Sequence, residues 1–298
     1  GAGKRLEISV ATAEDTSYTN AVTDFTATGG GFSLGSDAAT NQSGYNIVVW
    51  AWKANGGTTS SNTSGTTTST VQANTTAGFS IVTYAGNSAS KTVGHGLSSA
   101  PEWIIVKSRT DNERWAVFHT SISNQYIYLN DTFAGETSNA DERFGNSSSV
   151  VVPTDTLVTL GANNSDVNEN GDNYVMYCFH SVEGYSRFGS YTGDGLTTGA
   201  GPFVFLGFRP QWLLIKRADS SAGWILWDNK RSTFNPTDDY LVPSAYSVED
   251  TNDNAQKVDL LSNGFRVKNT ATSSSINASG GTYIYMAFAD QPFKFSNA

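Results

Sequence analysis

The chain has 298 residues, 15% of them charged and 12% aromatic, with 29 glycines and with Ser, Thr and Asn in almost every segment; a chain of this length buries a substantial core, and this usage is that of strands and turns. Eighteen Lys and Arg against 27 Asp and Glu leave a net charge of −9, so no basic field exists to hold a phosphate backbone, and nucleic acid is excluded as a partner. The longest apolar runs, 47–52 and 283–289, fall well short of the ~20 residues of a membrane helix, and one cysteine, Cys178, with 3 histidines cannot make an internal disulfide or a Cys/His zinc cluster.

The chain opens Gly1-Ala2-Gly3-Lys4-Arg5, without the apolar stretch of a signal peptide, so no secretory leader is expected. Soluble protein without membrane insertion is the expectation. Residues 1–54 hold Gly31-Phe32-Ser33-Leu34-Gly35, the turn Asn41-Gln42-Ser43-Gly44 and the apolar run Tyr45-Asn46-Ile47-Val48-Val49-Trp50-Ala51-Trp52. That order reads as a hairpin of two strands, and 157–161 before 174–179 and 264–267 before 283–288 read the same way further along the chain. Residues 55–78 are Gly, Ser, Thr and Asn around one large apolar residue, Val71. They are expected to form a flexible connector or an extended strap, because so little buried surface cannot offset the entropy of ordering.

Residues 79–183 open with Ser80-Ile81-Val82-Thr83-Tyr84 and Pro101-Glu102-Trp103-Ile104-Ile105-Val106-Lys107, and close with Leu157-Val158-Thr159-Leu160-Gly161, the turn Asn168-Glu169-Asn170-Gly171 and Tyr174-Val175-Met176-Tyr177-Cys178-Phe179. Period-two alternation puts Ile104 and Val106 on one face of the 102–107 strand and Trp103, Ile105 and Lys107 on the other. Both faces are apolar enough for a strand packed on two sides.

Residues 184–298 repeat the pattern with Arg187-Phe188-Gly189-Ser190-Tyr191, Pro210-Gln211-Trp212-Leu213-Leu214-Ile215-Lys216, Gly264-Phe265-Arg266-Val267 and Tyr283-Ile284-Tyr285-Met286-Ala287-Phe288. Trp115-Ala116-Val117-Phe118 likewise answers Trp224-Ile225-Leu226-Trp227. Matching segments lie roughly 105–110 residues apart, the size of one β-sandwich module. The expected fold is all-β: tandem antiparallel repeats, sandwich-like or jelly-roll-like. Residues 1–54 are the back half of a unit, 55–78 a linker, 79–183 the first complete repeat and 184–298 the second. A lone half unit leaves strand edges open, so the natural polypeptide is expected to extend upstream of Gly1 or this half to pack on a neighbour.

The combination of Gly78-Phe79-Ser80-Ile81-Val82-Thr83-Tyr84, Val93-Gly94-His95-Gly96-Leu97-Ser98-Ser99-Ala100-Pro101, Glu183-Gly184-Tyr185-Ser186 and the closing Gly281-Thr282-Tyr283-Ile284-Tyr285-Met286-Ala287-Phe288-Ala289 resembles an uncharacterised repeat domain of tailed-bacteriophage virion proteins. These are tail-fibre-like and other structural proteins, many from marine and cyanobacterial viruses. The resemblance implies a non-enzymatic structural component of the virion, in a tail fibre or related appendage that serves host attachment. It implies assembly in the host cytoplasm with other virion proteins, as a homo-oligomer for which a trimer is one option. A carbohydrate-binding adhesin module and a polysaccharide depolymerase are the alternatives.

The family carries no established catalytic residues, and no catalytic site or cofactor is expected. None of His95, His119 and His180 recurs in the other repeat, which favours polar turn or strand-face residues. Cys178 aligns with Ala51 and Ala287 and reads as a small buried filler. The carboxylate pairs Asp111 with Glu113 and Asp238 with Asp239 read as solvated turns, because a glycosidase needs two carboxyl groups held across a cleft. Asp166, Asn168, Asn170 and Asp172 begin like a calcium loop, but Tyr177 stands where the bidentate Glu belongs, so a hairpin turn is preferred and the four are the one metal candidate. Trp103, Trp212, Trp115 and Trp224 recur at matched positions as core residues do. That leaves Tyr126, Phe133, Tyr240 and Tyr246 as candidate contacts to a host glycan, with Arg209 and Lys216 able to bind an anionic glycan or solvate a sheet rim.

Overall fold

The computed structural model describes residues 2–25, 31–55 and 57–290. Its strands are β1 (Val22–Asp24), β2 (Ser33–Leu34), β3 (Ser60–Asn62), β4 (Ser69–Asn74), β5 (Phe79–Ala85), β6 (Lys91–Gly94), β7 (Trp103–Ser108), β8 (Ala116–His119) and β9 (Ile127–Tyr128). They continue with β10 (Leu157–Leu160), β11 (Asn173–Phe179), β12 (Ser186–Thr192), β13 (Phe203–Phe205), β14 (Pro210–Arg217), β15 (Trp224–Asp228), β16 (Val258–Leu261), β17 (Gly264–Val267) and β18 (Thr282–Ala289). The protein is all-β with antiparallel sheets. Among the described residues helix is confined to single turns at Ala38–Asn41, Ala140–Arg143 and Thr120–Ile122.

Two sheets form the middle of the molecule. The first has the order β3-β4-β5-β11-β7-β8-β9 and the second β12-β18-β14-β15. In the first, β11 sits between β5 and β7, with Tyr174 opposite Tyr84 and Phe179 opposite Trp103. In the second, β18 sits between β12 and β14, with Tyr283 opposite Tyr191 and Phe288 opposite Trp212. The tyrosine pairs stack alike, with centroids 5.3 Å apart for Tyr84–Tyr174 and 5.0 Å for Tyr191–Tyr283.

Each sheet is packed on both faces because successive side chains leave a strand on opposite sides. From β11, Tyr174, Met176 and Cys178 enter an outer core with Val158 and Leu160 of β10. From β18, Tyr283, Tyr285 and Ala287 enter the corresponding outer core with Phe265 and Val267 of β17. The opposite faces meet in a shared central core: Trp103 and Phe179 of the first sheet pack with Phe188, Trp212, Trp224 and Phe288 of the second. The layers therefore run β6-β10, first sheet, second sheet, β13-β17-β16. The alternation read for 102–107 has this physical cause: Ile104 and Val106 face the outer core, Trp103 and Ile105 the central one.

Three expectations are corrected. First, 157–161 and 264–267 are not hairpin partners of 174–179 and 283–288: β10 pairs with β6, and β17 with β13 and β16. The intervening Asn-rich turns carry the chain from one layer to the next, so these strands stack face to face and share a core instead of a ladder.

Second, 55–78 is not a loose linker. β3 and β4 form a hairpin whose inner strand pairs with β5, Val71 lying opposite Val82. Val71 is buried, and the Ser69 hydroxyl donates to the Gly94 carbonyl at 2.8 Å. Ladder bonds along the edge of β5, with one apolar anchor and Thr-rich β propensity, supply what composition lacks.

Third, 45–52 is not a strand. Residues 45–54 run outside every ladder, and Ser33–Leu34 pairs with β1 instead. The matching strands β11 and β18 hold their conformation by bonding to a strand on each side, whereas 45–52 has none alongside. It is anchored through side chains: Trp50, Trp52 and Ala54 pack on the central core, while Tyr45, Ile47 and Val49 are exposed.

Candidate functional site

Asp166, Asn168, Asn170 and Asp172 do not converge on a calcium position. Asp166 Oδ2 accepts from the Tyr128 hydroxyl at 2.8 Å and from Arg143 Nε at 2.9 Å. Asn168 is fully buried; its Oδ1 accepts from the Asn87 N–H at 3.1 Å, and its Nδ2 donates to the carbonyls of Ala89 and Gly161, both at 2.7 Å. Asn170 is exposed, and Asp172 accepts from the hydroxyls of Ser108 and Thr110. The described residues contain no group of three or more His, Cys, Asp or Glu able to hold a metal.

The arrangement braces the turn between layers, and the second half of the chain contains its counterpart. Asn277 accepts from the Asp194 N–H at 3.0 Å and donates to the Leu196 carbonyl at 3.1 Å. Tyr174 and Tyr283 each accept a backbone N–H and donate to a serine carbonyl, of Ser165 and Ser274 respectively. Asn168→Ala is expected to cost about 2–4 kcal/mol, because it removes three hydrogen bonds made by a fully buried side chain and strands the buried Gly161 carbonyl. Asn170→Ala should stay within about 0.5 kcal/mol. Urea unfolding measures both, and a chelator should move neither midpoint.

Two of the four aromatic contact candidates are buried. Tyr126 donates to Glu136 at 2.8 Å with the Arg143 guanidinium 3.9 Å above its ring. Tyr240 donates to Asp250 at 2.8 Å and Asp253 at 3.1 Å. Both are interior struts because their hydroxyls are taken by carboxylates of neighbouring loops. Phe133 and Tyr246 are exposed, Tyr246 in a hollow beside Arg5, Glu7 and Asp15. Lys216 is no rim residue: it is fully buried, its ammonium donates to the carbonyls of Phe133 at 2.9 Å and Arg217 at 2.6 Å, and burial pushes its pKa down to about 8.

The histidines are interior too. Nδ1 of His95 accepts the Leu97 N–H and Nδ1 of His119 the Ser121 N–H, and burial pushes their pKa values down to about 4 and about 3. Cys178 is wholly buried, which drives its thiol pKa far up. Asp238 pairs with Lys257 at 3.6 Å, while Asp239 accepts from the Ser232 hydroxyl at 2.9 Å.

The site that the structure does assemble is a cleft of ≈ 240 Å³ where 49–52 crosses the second sheet. Strands β14 and β18 set Trp212 beside Phe288, ring centroids 5.7 Å apart. Trp52 meets Trp212 edge-on at 5.3 Å and Phe288 at 5.4 Å, and Tyr185, from the turn before β12, meets Phe288 at 5.8 Å. Trp50 completes the aromatic wall, with Gln211, Asp228, Asn229 and Lys230 as the polar part of the lining. Asp228 closes the turn after β15, accepting the N–H groups of Lys230 at 2.9 Å and Arg231 at 3.0 Å and pairing with Arg231 Nε at 2.6 Å.

Two lining residues carry a buried polar atom without a partner, the Trp212 indole N–H and Asn229 Oδ1, and the matched Trp103 indole N–H is unpartnered too. Trp212 and Asn229 are only 8% and 9% exposed. On the first sheet the matching Trp103 is sealed beneath Phe188 and Trp224 of the second. On the second sheet Trp212 is met by the unladdered 45–54 segment, and a gap remains. Flat apolar walls such as these suit a ligand that is apolar on a face. Among the described lining residues Asp228 is the one carboxylate, and it is held by Arg231. Sequence reasoning missed the cleft because Trp212 recurs as a core residue does, and Trp50 and Trp52 sit in a run patterned as a strand.

Residues 1–292 match the model of a family described as a domain of unknown function (DUF7483). No curated protein and no solved structure matches the chain.

Proposed function

The chain belongs to this DUF7483 family, and from that premise we propose that it is a non-enzymatic attachment protein, a structural component of a phage virion appendage such as a tail fibre. The observation that carries the reading is the aromatic cleft walled by Trp50, Trp52, Trp212 and Phe288 on a closely packed β stack. The stack supplies a rigid mount, and the cleft is the surface presented to a target. The resemblance of the 78–101 and 281–289 segments to virion repeat domains supports the setting. Assembly as a homo-oligomer with other virion proteins belongs to the same proposal.

The test is location and competition. Gold-labelled antibody against the chain should decorate an appendage of purified particles, and the free protein should reduce adsorption to host cells. Particles that lack the chain overturn the reading. The same cleft also supports a second reading, a carbohydrate-binding adhesin module outside a virion; there, surface binding would persist with no particle to decorate. A depolymerase needs two carboxyl groups about 5–9 Å apart, and the lone, arginine-paired Asp228 does not favour it.

A further inference from the structure

We propose that residues 45–52 are a docking strand that takes up, alongside its backbone, a strand of another polypeptide in which Trp is followed by three aliphatic residues and Lys. The proposal goes beyond the attachment reading by assigning a protein partner to the segment that walls the cleft. The segment alternates as a strand does: Trp50, Trp52 and Ala54 are seated on the central core, while Tyr45, Ile47 and Val49 stand 67%, 45% and 51% exposed. Ala51, next on that outer side, is exposed too. Among the described residues, none pairs with the backbone of 46–52 in a ladder. An extended segment with unpaired edges and an apolar face in solvent is open to β-augmentation, in which an added strand supplies main-chain hydrogen bonds and its side chains supply specificity.

The two matching strands in the same chain define what fits there. With Ala51 aligned to Cys178 and Ala287, Trp52 answers Phe179 and Phe288, Val49 answers Met176 and Tyr285, and Ile47 answers Tyr174 and Tyr283. Both matching strands are bonded on each side. One neighbour is alike in the two sheets: Trp103-Ile104-Ile105-Val106-Lys107 beside β11, with Trp103 opposite Phe179, and Trp212-Leu213-Leu214-Ile215-Lys216 beside β18, with Trp212 opposite Phe288. The neighbours on the other side, β5 and β12, agree only in Tyr84 and Tyr191.

Laid beside 45–52 in the same register, a strand of the first type puts its tryptophan opposite Trp52 and its aliphatic residues opposite Ala51, Trp50 and Val49. The seat is continuous with an interface already formed, since Trp52 meets Trp212 at 5.3 Å and Phe288 at 5.4 Å in the central core. The incoming lysine falls beside Val48, as Lys107 falls beside Val175 and Lys216 beside Ile284, and 45–52 holds no charged residue to repel it. A second copy is not the partner, because both strands of this type are already flanked: β7 lies between β11 and β8, and β14 between β18 and β15.

The experiment is titration of the whole chain into a fluorescein-labelled peptide of residues 101–109, read by fluorescence anisotropy. Saturable binding is expected, and a peptide of the same composition in scrambled order should not bind. With peptide bound, every second amide of 46–52 should exchange its hydrogen more slowly, since an antiparallel neighbour bonds alternate residues. Val49→Asp sets a carboxylate opposite the valine of the peptide; it should leave the urea midpoint unchanged and weaken binding about tenfold or more. Tyr246→Ala, an exposed aromatic elsewhere, should leave binding unchanged.

The proposal is overturned by absence of peptide binding at millimolar concentration, by binding that ignores Val49→Asp, or by unchanged exchange at 46–52. It is equally overturned if the chain alone self-associates in sedimentation and Val49→Asp makes it monomeric, because a second copy is then the occupant. The two proposals fail separately: a chain that decorates virions yet takes up no strand ends this assignment and leaves attachment standing. A chain that takes up the peptide but occurs on no particle does the reverse.

Discussion

Trp224→Ala is expected to lower stability by about 3–5 kcal/mol, the usual cost of removing a large aromatic side chain from a closed core. Trp224 is fully buried, lies 5.9 Å from Trp103 of the first sheet, and donates its indole N–H to the Tyr128 carbonyl at 2.9 Å. The substitution therefore opens a void between the two central sheets and leaves the Tyr128 carbonyl with only the longer bond from the Asp131 N–H. Trp224→Phe fills most of the void but not the hydrogen bond, so it should cost about 1–3 kcal/mol. Urea unfolding followed by tryptophan fluorescence separates them. A loss below about 1 kcal/mol for the alanine variant would mean that the sheets do not depend on this contact.

Acid should destabilise the protein well above the pH at which its carboxylates protonate. Burial pushes His95 and His119 down from 6.5 to about 4 and about 3. In the unfolded chain both imidazoles take up protons as pH falls through 6.5, while in the folded chain they stay neutral. Stability is then fully present above 6.5 and is lost as pH falls toward 4 and 3. At 1.36 kcal/mol for each unit of difference, the loss by pH 4 is on the order of 3 kcal/mol per histidine. Glu14, held below its usual range by its bond to Arg109, adds a loss of the same sign at lower pH.

The His119→Asn variant tests this without dismantling the turn. His119 caps Thr120–Ile122 through Nδ1, and at the matching place in the second sheet Asp228 accepts two N–H groups through a short side chain. Asparagine keeps such an acceptor and does not titrate. Its urea midpoint should fall less than that of the parent between pH 7 and pH 4.5; equal falls would remove His119 as a cause.

The segments that sequence reveals well are those whose two faces are filled. Trp103, Ile104, Ile105 and Val106 are apolar on both sides because the strand lies between two cores, and the same holds for Trp212, Leu213, Leu214 and Ile215. Lys107 keeps the pattern in a way polarity scales hide: its side chain stays inside by donating to the Ser108 and Asp111 carbonyls. Pairing partners were less legible, since alternation reports which face is buried and not what lies alongside. The 55–78 stretch shows the limit of composition, because the ladder that orders it is made with the backbone of β5, which its own residue usage does not report.

The cleft was illegible for a related reason. Trp50 and Trp52 have the spacing of a strand, and only the lack of neighbouring strands turns that strip into a wall. The second sheet then buries one indole N–H and one amide oxygen without a partner. No local pattern encodes a group that goes without a partner.

The central sheets press equivalent surfaces together, Trp103 and Phe179 from one and Trp212 and Phe288 from the other. Contact between like faces is self-terminating, as in an isologous dimer: each surface able to make it is used up in making it, and a third sheet finds none on offer. The border strand β13, where Phe203 and Phe205 stand 41% and 57% exposed, takes no part in that contact. Lengthening by border pairing orients successive copies across the stack rather than along it.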